Sequence, residues 1–210
     1  MAWLSLVGFA LAVLPICMTP GVSFTLVTQR VLDRGVRSGF AVTAGTVCGL
    51  ICHATLAGLG LSALVMRSSE AFTIIKLAGA AYLVLLGLRT LWRSRPSQPA
   101  TPPTPTSRLP WHGHGDLVQG FLGNVLNPKA AAVYLTVAPQ FLHAGSPLLP
   151  QMLELCVAHI VVAAGWLLVW TAVVHLSRRT VRSPLFRRVM DRVSGFVLVG
   201  LGLRTGFAAR

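Results

Sequence analysis

MTPGVS, Met18 to Ser23, interrupts an apolar run that extends from Leu4 to Val27. A proline inside a helix removes a backbone hydrogen bond and clashes with the preceding turn, so a segment chosen only for hydrophobicity would not carry one there. Either the helix stops at this point or the break has a use. A second stretch of the same kind, VLNPKA at Val125 to Ala130, lies inside a later apolar run, and MTPG aligns with LNPK at an offset of 108 residues.

The chain around these breaks is too apolar for a soluble protein. Of its 210 residues 54% are hydrophobic and 11% charged, whereas a soluble domain carries about 25% charged residues. A membrane helix needs about 20 mostly apolar residues. Six segments meet that length, namely 4–27, 39–66, 71–92, 117–142, 148–176 and 189–207. The fold expected is an all-α polytopic membrane protein with six transmembrane helices.

The net charge of +13 could point to nucleic acid, but the arginines sit in particular loops between spans. Arg30, Arg34 and Arg37 follow the first span; Arg93, Arg95 and Arg108 follow the third; Arg178, Arg179, Arg182, Arg187 and Arg188 follow the fifth. The alternate loops are nearly bare. By the positive-inside rule the basic loops are cytoplasmic and both termini face outward. No Lys or Arg precedes the first apolar run and no small-x-small cleavage site follows it, so it reads as a retained span and not a signal peptide. A bacterial inner membrane is the expected location, and nucleic acid is not an expected partner.

The halves of the chain repeat. GLRT occurs at Gly87 to Thr90 and again at Gly202 to Thr205, an offset of 115, and at that offset Lys76 aligns with Asp191. Three spans fall in each half, and because three is odd the second half enters the membrane in the opposite sense. Residues 1–94 then form the first three-helix repeat, 95–116 a Pro-rich cytoplasmic linker, and 117–210 the second repeat. Inverted-topology repeats are a recurring plan of secondary transporters, with the substrate bound between the halves near the midplane.

Thr19-Pro20-Gly21 and Asn127-Pro128-Lys129 are the matched breaks. Thr and Asn are good helix N-caps and Pro suits the first helical position, so both read as helix starts inside the membrane. Each would aim backbone N–H groups and a positive dipole end at the midplane, where a zwitterion's carboxylate would fit. Lys129, deep in its span, is costly unless it lines a cavity. Glu154 is the most deeply placed acid and could carry a proton, bind a substrate ammonium group or pair with a lysine. Gly45, Gly49 and His53 share one helical face, whose glycines allow close approach of another helix. His53 could relay a proton or be a packed, hydrogen-bonded histidine, and His159 offers the same two readings. The four cysteines, Cys17, Cys48, Cys52 and Cys156, lie within apolar spans and read as small hydrophobes rather than a disulfide framework. His112 and His114 lack further ligands for a metal, and no cofactor is expected.

Taken together, these residues resemble the LysE/RhtB superfamily of amino-acid exporters. The resemblance rests on Thr19-Pro20-Gly21, RGVRSG (Arg34 to Gly39), the GxxxGxxxH pattern ending at His53, KLAGAAYLVLLGLR (Lys76 to Arg89), GNVLNPKA (Gly123 to Ala130) and APQF (Ala138 to Phe141). It implies six spans, export of amino acids or related small zwitterions driven by the proton gradient, and homo-oligomerisation. It carries a transport role to Pro20, Asn127 and Pro128, and Asn124 and Ser23, in the same motifs, are further candidates for binding substrate. Two departures bear on the pocket. Val22 and Ser23 stand where the family pattern continues with Pro and Asn, and Leu50 where many relatives have Asp.

Two other classes can be set beside this one. A thiol-disulfide electron carrier of the DsbD/CcdA type needs a cysteine from each half at matched positions, and the span 117–142 has none. A metal-cation exporter would need clustered soft or acidic ligands, for which Cys48 and Cys52 are the one candidate pair.

Overall fold

A computed structural model describes residues 3–67, 69–93, 114–143, 145–177 and 184–207. Among them there are helices and no strands. In chain order these are α1 (Trp3–Met18), α2 (Val22–Arg34), α3 (Val36–Arg67), α4 (Ser69–Arg93), α5 (Asp116–Val125), α6 (Pro128–Ala132), α7 (Leu148–Leu176) and α8 (Pro184–Phe207). A π-helical turn, Val133–Val137, and a 3-10 turn, Ala138–Phe141, continue α6. Most of the linker 95–116, the arginines 178–182, and the side chains of Lys76 and Asp191 lie outside the described residues.

Two described helices are long and apolar enough to cross a membrane alone, over Val36–Gly60 and Leu148–Leu176. The expected first span is the bent pair α1 and α2, which meet at 55° and together pass the same test. The expected fourth span, 117–142, is α5, a break at Leu126-Asn127, then α6 and its two irregular turns. Leu77–Trp92 of α4 is a shorter apolar helix. Large apolar side chains such as Leu11, Ile51, Leu85, Val161 and Phe196 point outward, as befits helices whose solvent is lipid.

Glycines set the closest helix contacts. A Cβ at Gly45 would run into the backbone of Leu117 and Phe121, and one at Gly120 into that of Val42, so α3 and α5 touch backbone to backbone. One turn on, Gly49 makes room for Asn124, whose Oδ1 lies 2.7 Å from where a Cβ would be. His53, a further turn on, donates from Nε2 to the Asn124 carbonyl at 3.1 Å. The GxxxGxxxH face is thus the seat for α5.

Helices α4 and α8 pack through the repeated motif. A Cβ on Gly87 would meet Gly195 O at 2.8 Å and Val199 N at 2.8 Å; a Cβ on Gly202 would meet Ala80 O at 2.8 Å and Val84 N at 3.0 Å. Gly195 in turn faces Leu91. Contacts that climb α4 therefore descend α8, and the two helices run antiparallel. Shifting by 115 residues turns Ala80, Val84 and Gly87 into Gly195, Val199 and Gly202, so each contact maps onto the other.

At one end, Arg30 of α2 is buried with 5% exposure. Its Nη2 donates to Gln119 Oε1 at 2.7 Å, and its Nε pairs with Asp116 Oδ1 at 3.3 Å. Arg34 reaches the same carboxylate oxygen at 3.4 Å. This cluster ties α2, from the first half of the sequence, to the start of α5, from the second.

Candidate functional site

The two helix breaks meet. Lys129, the second residue of α6, extends its ammonium to the first break and donates to Ile16 O at 2.9 Å and Thr19 O at 3.2 Å. Those carbonyls belong to the end of α1, where Pro20 has no N–H to continue the ladder and helix acceptors are left over. Charge-assisted bonds of this kind are among the stronger protein hydrogen bonds, and they fix the two breaks side by side.

The breaks differ in how they are capped. Asn127 is the N-cap of α6, its Oδ1 accepting from Lys129 N at 3.0 Å, with Pro128 in the first turn. Thr19 does not cap α2. Its hydroxyl donates back to Pro15 O at 3.0 Å, and the N-cap is Gly21, in an extended conformation and without a side-chain bond to the helix. Thr19 stands two residues before that N-cap, too far back to reach the first turn of α2. That helix therefore starts with its N–H groups uncapped by any side chain, and Gly21 lets Lys129 approach: a Cβ there would stand 3.3 Å from Nζ.

A cavity opens between the breaks, enclosing about 60 Å3, where one water needs about 10–15 Å3. Thr19, Gly21, Ser23, Asn124, Asn127 and Lys129 all line it. Pro20 sits in the first break and Pro128 in the second, half-buried and exposed respectively; they shape the backbone without forming the wall. Val22, Ser23 and Phe24, the first turn of α2, face the cavity, and Thr46 reaches across from α3 to Ser23 at 3.3 Å. Leu50, Val133, Ala163 and Leu167 make the apolar side. Asn124 is 4% exposed, and its Oδ1 has no hydrogen-bond partner. A buried acceptor left unmade costs about 1–3 kcal/mol, which a ligand donor would relieve.

Residues 14–208 match the model of the LysE type translocator family. The chain belongs to that family. Among relatives of this LysE-family chain, it is 30% identical over 206 residues to the uncharacterized membrane protein YrhP of Bacillus subtilis, covering 94% of this chain and 98% of the other. It is 32% identical to a homoserine/homoserine lactone efflux protein of Salmonella typhimurium, covering 87% of each. It is 29% identical over 124 residues to a threonine efflux protein of Escherichia coli, covering 59% of this chain and 60% of the other. No solved structure matches it significantly. The LysE family is one of membrane translocators, not enzymes.

Of the residues singled out for proton coupling in this LysE-family chain, neither lines the cavity. His53 is one step back, bonded to Asn124, and Glu154 lies on an exposed face of α7. In their place His159 lines the wall. Its Nδ1 is 3.2 Å from Tyr134 Oη, and the Tyr134 ring stacks near-parallel to His53 at 14° with 6.2 Å between centroids. Tyr134 is fully buried on the π-helical turn, a feature frequent at functional sites. Nothing in local sequence marks that turn, so Tyr134 carried no signal. The cysteines are free thiols. Among the described residues no three His, Cys, Asp or Glu side chains are grouped to hold a metal ion.

Proposed function

We propose that this chain is a secondary exporter of small zwitterionic amino acids across the bacterial inner membrane, working by proton antiport. The observation that carries the reading is the meeting of two helix breaks around one cavity, with Lys129 on its wall beside the uncapped start of α2. A substrate carboxylate would lie against Lys129 and the N–H groups of the first turn of α2, where the dipole and the ammonium act together. The substrate ammonium would donate to the unpartnered Oδ1 of Asn124. The cavity suits a short side chain, and the names of the homoserine and threonine efflux relatives agree with that size.

The exchange of contacts between α4 and α8 under the 115-residue shift supports six spans arranged as inverted repeats, because an antiparallel pair related by a two-fold axis places that axis in the membrane plane. Rocking of the halves about it would expose the cavity alternately to each side. The buried Arg30, Asp116 and Gln119 cluster, at the end the arginine distribution assigns to the cytoplasm, would close that side.

Everted membrane vesicles carrying the chain, energised by a proton gradient, should accumulate labelled threonine or homoserine. Asn127→Ala, which removes the cap of α6 and releases the start of the Lys129 segment, should abolish it. A panel of the twenty amino acids with none accumulated would refute the reading.

A further inference from the structure

We propose that His159 is the group that takes up the coupling proton, and that it does so in direct competition with the ammonium group of the substrate. This rests on the export reading above and assigns its coupling step.

The chain has five carboxylates, and none described lines the cavity. Asp33 and Glu70 are exposed near helix ends, Glu154 is exposed on α7, and Asp116 is held by Arg30 and Arg34; the side chain of Asp191 lies outside the described residues. The titratable groups on the cavity wall are Cys17, Lys129 and His159. Lys129 donates to two carbonyls, which ties it to holding the two breaks together. A thiol ordinarily changes charge above neutral pH, and imidazole is the side chain that does so in the physiological range.

The surroundings of His159 orient it for this task. From the π-helical turn, Tyr134 Oη meets Nδ1 at 3.2 Å. In the tautomer whose Nδ1–H donates to the tyrosine oxygen, the Nε2 lone pair is left to accept a proton. From α1, Phe9 packs edge-on at 6.2 Å, and Cys17 shares the cavity wall. From α6 comes the one full charge, Lys129; from α3, His53 lies beyond Tyr134.

With substrate bound, the Lys129 cation is balanced by the carboxylate, and neutral His159 accepts from the ammonium alongside Asn124. With substrate gone, a proton on Nε2 takes the place of that ammonium. A protonated Nε2 has no lone pair left to accept from the ammonium, so proton and substrate exclude one another at this atom and one zwitterion leaves for one proton bound. Negative coupling between the two ligands at one pocket is what antiport requires.

The test uses the full chain in proteoliposomes, with labelled threonine and homoserine as probes. Two quantities are read: exchange across a membrane with no pH gradient, and accumulation driven by one. In the wild type the apparent KM for exchange should rise as pH falls, as the imidazole takes up its proton. His159→Gln should raise the apparent KM for exchange, remove its dependence on pH, and lose gradient-driven accumulation. Tyr134→Phe, which frees Nδ1 but keeps the ring, should shift the midpoint of the profile and retain coupling. His159→Gln that exchanges with an unchanged pH profile overturns the assignment, as does loss of coupling in Glu154→Gln with His159→Gln still coupled. Loss of exchange in both His159→Gln and Tyr134→Phe makes the histidine structural and also overturns it. Wild-type vesicles that neither exchange nor accumulate any amino acid sink the export reading itself, a result distinct from the others.

Discussion

Lys129→Met should weaken the apparent affinity for a transported amino acid by about 100-fold, the equivalent of about 2–3 kcal/mol for one charge-assisted hydrogen bond in a buried site. Methionine has nearly the same reach and can lie along the same path, so the change removes the ammonium and leaves most of the packing. The substitution also leaves the carbonyls of Ile16 and Thr19 without their donor, and some loss of stability will accompany it. A second measurement separates the two effects. The wild type should prefer an amino acid over its amide as a competitor for export, because only the acid offers a carboxylate to Lys129. In Lys129→Met that preference should vanish. A variant that transports poorly yet still discriminates acid from amide would show that the lysine holds the breaks together without meeting the substrate.

Gly45→Ala should prevent correct assembly, although alanine improves intrinsic helix propensity by about 1 kcal/mol over glycine. The added methyl would lie against the backbone of Leu117 and 2.7 Å from Phe121 N. Backbone cannot rotate away as a side chain can, so α3 and α5 must separate along their contact. Overpacking of this kind costs about 1–3 kcal/mol and more where the neighbours are rigid. Separation would also loosen Asn124 and its bond from His53, which lie on the next two turns of the same face. Melting of the detergent-solubilised protein should therefore fall, and transport with it. A melting temperature raised by Gly45→Ala would mean that propensity governs here and that α3 and α5 do not pack this closely.

The parts of this structure legible in sequence are those governed by local chemistry. Proline disfavours a helix interior, so both breaks were visible at Pro20 and Pro128, although α1 runs on through Pro15, and Asn127 caps its helix as its residue type suggests. Spacing exposed the face of Gly45, Gly49 and His53, but not its partner, since periodicity says which residues share a side and nothing about what covers them. Thr19 failed as a cap because α2 starts at Val22, two residues later than the alignment of the two motifs implies, a difference invisible in that alignment. Helix α7 is apolar almost all round, and such a helix gives no amphipathic signal. That is why Glu154 and His159, five residues apart on it, could not be assigned to the outer face and the cavity wall. The π-helical turn that carries Tyr134 has no mark in local sequence, so its meeting with His159 was not legible there.

The claim on which the rest depends is that substrate sits between the two breaks. Cys17 lines that cavity at the end of α1, and with Cys48, Cys52 and Cys156 replaced by alanine it becomes a single reporter. The decisive measurement is the rate at which a small maleimide alkylates Cys17 in reconstituted protein, with and without a transported amino acid. Saturating substrate should slow the reaction severalfold, with a concentration dependence that matches the KM of transport, and complete alkylation should block transport. Substrate-independent labelling of Cys17 in protein that continues to transport after modification would place the binding site elsewhere.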